Sequence, residues 1–278
     1  MSLRPPGAPC TPRGCVDPGA GAAAVPPAVL RLAAVGVLLC AGIALLPLRR
    51  RIPAGVVRGW CRWLVRAAGV RVRIAGTAAP TGGLLLVANH ISWLDIPLLA
   101  AVRPARMLAK SEIRRWPVAG ALAARSGVLF IDRDRPRGLP GTVAALTGIL
   151  RGGAAVAAFP EGSTWCGRAG GGFRRAVFQA ALDAGVPVQP VRIRYVDARG
   201  GPATAPAFVG DDTLLASVWR VVSARGVTAE VEVRPAVPAG CHPDRRALAR
   251  AAQPPAVPLR EVHRTGTHGG GDGRGHRE

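Results

Sequence analysis

Between Arg71 and Pro238, short apolar runs alternate with longer segments of helical period, and this alternation restricts what the chain can fold into more than any other feature. The runs "RVRIAG", "GLLLVAN", "ARMLAK", "GVLFID", "GAAVAAFP", "VPVQPVRIRYV" and "TAEVEVRP" have the length and aliphatic content of strands. The segments "LDIPLLAAV", "PVAGALAARS", "GTVAALTGILRG", "FRRAVFQAALDAG" and "DTLLASVWRVVSARG" have the spacing of helices. Strands interleaved with helices bury their apolar faces as layers. The expected fold class is therefore α/β, with a largely parallel sheet flanked by helices. A chain of 278 residues is long enough for a substantial core of this kind.

The flanks read differently. Residues 1–27 are rich in Pro, Gly and Ala without period, which predicts a disordered tail. Ala28 to Leu48 is almost wholly apolar, interrupted by Arg31. The unbroken part from Leu32 to Leu48 makes roughly 25 Å of helix at about 1.5 Å per residue, short of a hydrocarbon core of roughly 30 Å. A marginal span or a re-entrant anchor is expected. No small-residue cleavage site follows it, which argues against a secretory signal peptide. Instead "RRRIP" follows, and then Arg58, Arg62 and Arg66 punctuate a segment that also carries Trp60, Trp63 and Leu64. That pattern predicts a basic helix lying on anionic head groups, so residues 28–68 form a membrane-anchoring unit. If the apolar helix spans, the arginines after it place the remainder on the cytoplasmic side of the inner (cytoplasmic) membrane. Residues 69–240 form the main domain. Residues 241–278 hold a short helix in "HPDRRALARAA" and a disordered tail, in which His263, His268 and His276 are solvated.

The net charge of +21 favours anionic partners. Nucleic acid is not expected among them: aromatic residues are 4% of the chain, Tyr195 is the sole tyrosine, and no zinc-finger, RNA-recognition or helix-turn-helix pattern occurs. A mean hydropathy of +0.23 suits a membrane-associated protein better. Cys10, Cys15, Cys40, Cys61, Cys166 and Cys241 are scattered without Cys-x-x-Cys spacing, and read as reduced thiols rather than as zinc ligands.

Two strand-to-helix turns carry the chemistry. In "VANHISWLDIP" an apolar strand runs into Asn89, His90, Ser92 and Asp95, at the edge where open α/β sheets bind ligands. Ser92 and Asp95 fit the S-x-x-D capping pattern, with Ser92 as the helix cap. The same spacing lets the Asp95 carboxylate fold back on the imidazole, fixing its tautomer and strengthening it as a base. No G-x-S-x-G elbow supplies a protein nucleophile, so such a base would activate a hydroxyl of the substrate. The second turn, "AAFPEGST", places Glu161, Gly162 and Ser163 beyond another buried strand. Two parallel strands would bring both turns to one edge of the sheet. In "GVLFIDRDRPR" Arg133 or Arg135 projects beyond a third strand end, where a guanidinium can grip phosphate.

In this order, "NHISWLD", "GVLFIDR", "FPEGS" and "VPVQPV" resemble the four sequence blocks of the glycerolipid acyltransferase family, which includes the lysophosphatidate acyltransferases. The resemblance covers about residues 70–240 and makes the main domain an acyltransferase domain. It implies His90 as the general base on the acceptor hydroxyl and Asp95 as the group that orients it. It further implies Arg133 as the ligand of an anionic head group, and Glu161, Gly162 and Ser163 as the wall of the acceptor site. The donor is acyl-CoA or acyl carrier protein, and no metal or bound organic cofactor is implied. The partners are membrane lipids and a lysophospholipid acceptor, foremost lysophosphatidate. One departure concerns the acceptor. The family often continues F-P-E-G with Thr and then Arg, whereas this chain reads Ser163, Thr164, Trp165, Cys166. Arg168, Arg174 or Arg175 could compensate, or the acceptor is another lysolipid, including a lyso-amino-acid lipid. Two rival readings are a lipid or thioester hydrolase in which His90 activates water, and a basic membrane-surface module whose His–Asp turn is only structural.

Overall fold

The run Leu84–Ala88 has no polar side, and every one of its residues is buried. A strand of that kind belongs in the middle of a sheet covered on both faces. The computed structural model, which describes residues 10–17, 25–49, 51–111, 125, 127–131 and 138–254, places it there.

The strands are β1 (Arg71–Ala75), β2 (Leu84–Ala88), β3 (Arg106–Lys110), β4 (Leu129–Ile131), β5 (Ala155–Ala158), β6 (Val188–Val196) and β7 (Thr228–Val233). They form one seven-stranded sheet in the order β1-β7-β6-β2-β5-β3-β4. Every pairing is parallel except β6 with β7. The largely parallel α/β expectation therefore holds, and each strand coincides with a run recognised in the sequence.

Alternation along β2 sends side chains to two cores. Leu84, Leu86 and Ala88 join one with Leu94, Leu98, Val191, Ile193, Val221 and Val222. Leu85 and Val87 join the other with Leu146, Leu150, Phe178 and Leu248. The helices are α1 (Pro12–Cys15), α2 (Val25–Leu45), α3 (Ala54–Ala67), α4 (Asp95–Val102), α5 (Leu139–Arg151), α6 (Ala176–Ala184), α7 (Leu214–Ser223) and α8 (Arg245–Ala252). The first core lies under α2, α3, α4 and α7, and the second under α5, α6 and α8. The predicted helix in "PVAGALAARS" lies outside the described residues apart from Arg125.

Helix α2 starts at Val25, three residues before the apolar run noted above, and a 3₁₀ turn follows at Leu46–Leu48. It is long and apolar enough to be a candidate membrane helix. Arg31, the single charge in that run, has a structural task. Its guanidinium donates to the carbonyls of Val222 and Ala224, both at 2.8 Å, at the C-terminal end of α7. The last turn of a helix leaves carbonyls unpaired and carries partial negative charge, so a cation there is well placed. Ala28 and Val35 are buried in the same docking contact, while Leu30 is 71% and Val37 69% exposed. The exposed apolar surface continues onto Val56 and Trp63 of α3 and Leu215 of α7, and Arg66 lies over the Trp63 ring. This apolar belt with a basic rim is the signature of association with a membrane.

Two expectations from the sequence need correction. Residues 10–17 are ordered rather than part of a disordered tail. Thr11 caps α1 through the Gly14 N–H, Cys10 is buried, and Asp17 exchanges hydrogen bonds with Thr204 at 2.8 and 2.6 Å. The cysteines are also not all scattered: Cys10, Cys15 and Cys166 come together. Both results depend on contacts more than 150 residues apart in sequence, which local composition cannot reveal.

Candidate active site

Strands β2 and β5 are parallel neighbours in register, Val87 opposite Ala158, so the two polar turns leave the sheet side by side. The Asn89 side chain fastens the first turn to β6, donating to the Ile193 carbonyl at 2.9 Å and accepting from its N–H at 2.8 Å.

Beyond Asn89, His90 Nδ1 lies 2.8 Å from Asp95 Oδ2. The same oxygen accepts the backbone N–H groups of Ile91 at 2.6 Å and Ser92 at 2.8 Å, and Oδ1 accepts the Tyr195 hydroxyl at 2.6 Å. An ionised carboxylate only accepts, so Nδ1 carries the ring proton and Nε2 is left with a lone pair. Asp95 is fully buried, and its charge is compensated by these donors. Burial and the Asp95 charge push the Tyr195 phenol well above its ordinary range, so it remains a donor. The His90 ring stacks on Phe159, with centroids 3.9 Å apart and planes at 7°.

The capping pattern is realised only in part. Asp95 reaches back to the Ser92 N–H, as such a motif requires, but Ser92 Oγ accepts from Leu94 at 3.2 Å and does not cap α4, whose cap position is Leu94. The Asp95 carboxylate organises the turn in its place.

Glu161 joins the two turns. Its Oε2 accepts the His90 N–H at 2.7 Å and its Oε1 accepts the Gly171 N–H at 3.1 Å. On the other side, the Trp165 N–H donates to the His90 carbonyl at 2.8 Å. The peptide groups on both sides of the His90 Cα are thus held by the loop that follows β5. Burial raises the Glu161 carboxyl from an ordinary 4.5 to about 7; the two backbone donors work against the shift and the nearby Asp95 charge adds to it.

Gly162 has φ +79°, a conformation that favours glycine, and a Cβ there would sit 2.6 Å from the Arg174 guanidinium carbon and push that side chain aside. Ser163 is half-buried in the same turn, and its hydroxyl makes no hydrogen bond among the described residues. Arg133 lies outside the described residues. Of the arginines considered as substitutes for the family's missing one, Arg168 faces Asp17 at 3.4 Å, whereas Arg174 and Arg175 line a cleft of about 610 Å³. That cleft is walled by Leu108, Ile131, Phe159 and Phe173, and Arg245 stands beside the two arginines. A smaller hollow contains His90, Glu161 and Trp165 with Arg192 and Arg194 of β6.

His90, Asp95, Glu161, Gly162 and Ser163 therefore meet at one edge of the sheet, as the motif spacing predicts. Tyr195, Arg192 and Arg194 stand beside them and belong to none of the motifs. A lone tyrosine in a buried strand was the available signal for the first; nothing in an arginine-rich chain singled out the last two. An imidazole held at Nδ1 by a buried carboxylate can take a proton at Nε2, the arrangement required to activate a hydroxyl.

The family described as Acyltransferase matches residues 69–194. The chain is 37% identical over 235 residues to the lyso-ornithine lipid O-acyltransferase of Pseudomonas aeruginosa, covering 81% of this chain and 88% of that protein. It is 38% identical over 175 residues to the 1-acyl-sn-glycerol-3-phosphate acyltransferase of Neisseria gonorrhoeae, covering 62% and 68% respectively. The crystal structure of the 1-acyl-sn-glycerophosphate acyltransferase PlsC from Thermotoga maritima matches with a TM-score of 0.60 at 16% identity, over 82% of this chain and 92% of that one. At that identity the likeness is one of fold.

Proposed function

The chain belongs to the glycerolipid acyltransferase family, and from that membership we propose that it transfers a fatty acyl group from acyl-CoA or acyl carrier protein to the hydroxyl of a lysolipid with an amino-acid head group, such as lyso-ornithine lipid. The observation that carries the reading is the His90 ring held by Asp95, with its peptide groups held by Glu161 and Trp165. His90 Nε2 takes the acceptor's hydroxyl proton while the oxygen attacks the thioester carbonyl. The C–S bond then breaks, and the proton on His90 passes to the departing thiolate. Neither a metal nor an organic cofactor takes part.

Two features support the acceptor class. Relatives named for lyso-ornithine lipid align over more of this chain than those named for 1-acyl-sn-glycerol-3-phosphate, 81% against 62% for the two described above. The turn after Gly162 also lacks the arginine that a phosphomonoester would favour. Lysophosphatidate is the second reading, supported by Arg174, Arg192 and Arg194 around the clefts. Arg133 is assigned, by resemblance, to the head group in either case. The apolar belt on α2, α3 and α7 would rest in the cytoplasmic leaflet of the inner membrane, where both the lipid acceptor and the soluble donor are within reach.

The test is acyl transfer from labelled acyl-CoA and acyl carrier protein in membranes containing lyso-ornithine lipid, lysophosphatidate or no added acceptor. Acylated lyso-ornithine lipid is the expected product. Product from lysophosphatidate alone would establish the second reading, and free fatty acid without acceptor would make the protein a hydrolase.

Glu161 supplies a prediction with a defined pH window. Between 4.5 and about 7 the unfolded carboxyl is ionised while the folded one keeps its proton. Its contribution to stability is present below that window and is lost as pH rises through it. In Glu161→Gln this pH slope in the thermal midpoint should disappear. The amide can accept from only one of the two N–H groups, leaving the other unpaired at about 1–3 kcal/mol. Displacement of the His90 backbone should lower kcat by about 10- to 100-fold.

A further inference from the structure

A second concentration of reactive groups, distinct from the His–Asp pair, lies where α1 meets the loop after β5. The Sγ atoms of Cys10, Cys15 and Cys166 all lie within 4.8 Å of one another. Cys10 and Cys166 are buried and Cys15 is half-buried. Three thiolates around a zinc ion at about 2.3 Å stand roughly 3.8 Å apart, so the cluster needs to contract by at most about 1 Å to close on an ion.

The surroundings hold the sulfurs in place. Thr11 caps the turn between Cys10 and Cys15, and Asp17 is locked to Thr204 just beyond it. Gly210 has φ +63°, a conformation that favours glycine, and a Cβ there would stand a tight 3.1 Å from the Cys10 carbonyl oxygen.

We propose that Cys10, Cys15 and Cys166 form a binding site for one thiophilic d¹⁰ metal ion of the Zn²⁺ type, which ties the N-terminal segment to the loop after β5. Soft thiolates select such an ion over Mg²⁺ or Ca²⁺. Three S–H groups lose their protons to solvent as three metal–sulfur bonds form, so binding releases protons and strengthens with pH. No histidine or carboxylate completes the set among the described residues, and Asp17 is engaged by Thr204 and Arg168. A bound ion would take any fourth ligand from solvent. The site is structural: the loop it clamps carries Trp165, which holds the His90 carbonyl, and Gly171, which holds Glu161.

The experiment uses the untagged full-length protein in detergent, reduced and stripped of metal, titrated with Co²⁺ and then with Zn²⁺. One equivalent of Co²⁺ should bind with thiolate-to-metal charge-transfer absorption and be displaced by one equivalent of Zn²⁺. Cys15→Ala, at the half-buried position least liable to upset folding, should weaken binding by more than 100-fold, beyond the roughly 10- to 100-fold cost of losing a supporting partner. Cys10→Ala and Cys166→Ala should do the same. The double variant Cys40→Ser/Cys241→Ser, which alters two exposed thiols, should bind as the parent does. Zn²⁺ should also raise the thermal midpoint of the parent and not of Cys15→Ala. Absence of thiolate charge transfer in the reduced parent would overturn the proposal, as would equal binding by Cys15→Ala or loss of binding in the double variant.

Discussion

His90→Ala is expected to lower kcat for acyl transfer by about a thousandfold while leaving the fold intact. The magnitude is that of removing a positioned general base, typically about 10²- to 10⁴-fold. The side chain is 21% exposed, and its described partners are the Asp95 carboxylate and the stacked Phe159 ring, so its removal should cost little stability. Asp95 would keep the Ile91, Ser92 and Tyr195 donors and remain compensated. Initial rates at saturating donor and acceptor, with circular dichroism and the thermal midpoint alongside, give the test. Transfer within a few-fold of the parent, in folded protein, would remove His90 from the mechanism and favour a purely structural role for the turn.

The second large effect is a contrast between two changes at Asp95. In Asp95→Asn the amide oxygen can still receive the three donors that converge on Oδ2, and the Tyr195 hydroxyl can rotate to accept from the amide nitrogen. The fold should therefore survive. The negative charge that stabilises the imidazolium is lost, and kcat should fall by about 10³- to 10⁴-fold. Asp95→Ala instead strands two backbone N–H groups and a phenol in the interior, and should cost about 3–5 kcal/mol of stability, read as a large drop in thermal midpoint. Similar stability losses in both variants would mean that charge, rather than hydrogen bonding, holds the turn together.

How far the sequence alone reveals this site depends on range. All seven strands could be read because each is a short aliphatic run between turn residues, and the side-by-side placement of the two turns follows from parallel pairing. The closeness of His90 and Asp95 was legible because they are neighbours in one turn. What Glu161 does was not. As an isolated residue it resembles any turn carboxylate, and its hydrogen bond to His90 spans 71 positions. Tyr195 reaches Asp95 across 100 positions, and Asp17 meets Thr204 across 187. Local period and composition carry no information about such pairs. Arg31 shows the converse: it looked like an interruption of a membrane segment, and it is the peg that docks α2 onto α7.

A histidine gripped through its peptide groups on both sides by a neighbouring loop has lost the freedom to vary alone. Any lineage that reshapes residues 161–171 shifts the Glu161 and Trp165 contacts, and His90 moves with them. Acceptor preference and turnover would then be inherited as one trait. Substitutions in that loop would show strong epistasis with position 90, and new specificities would arise most readily on the opposite wall, among the arginines of β6.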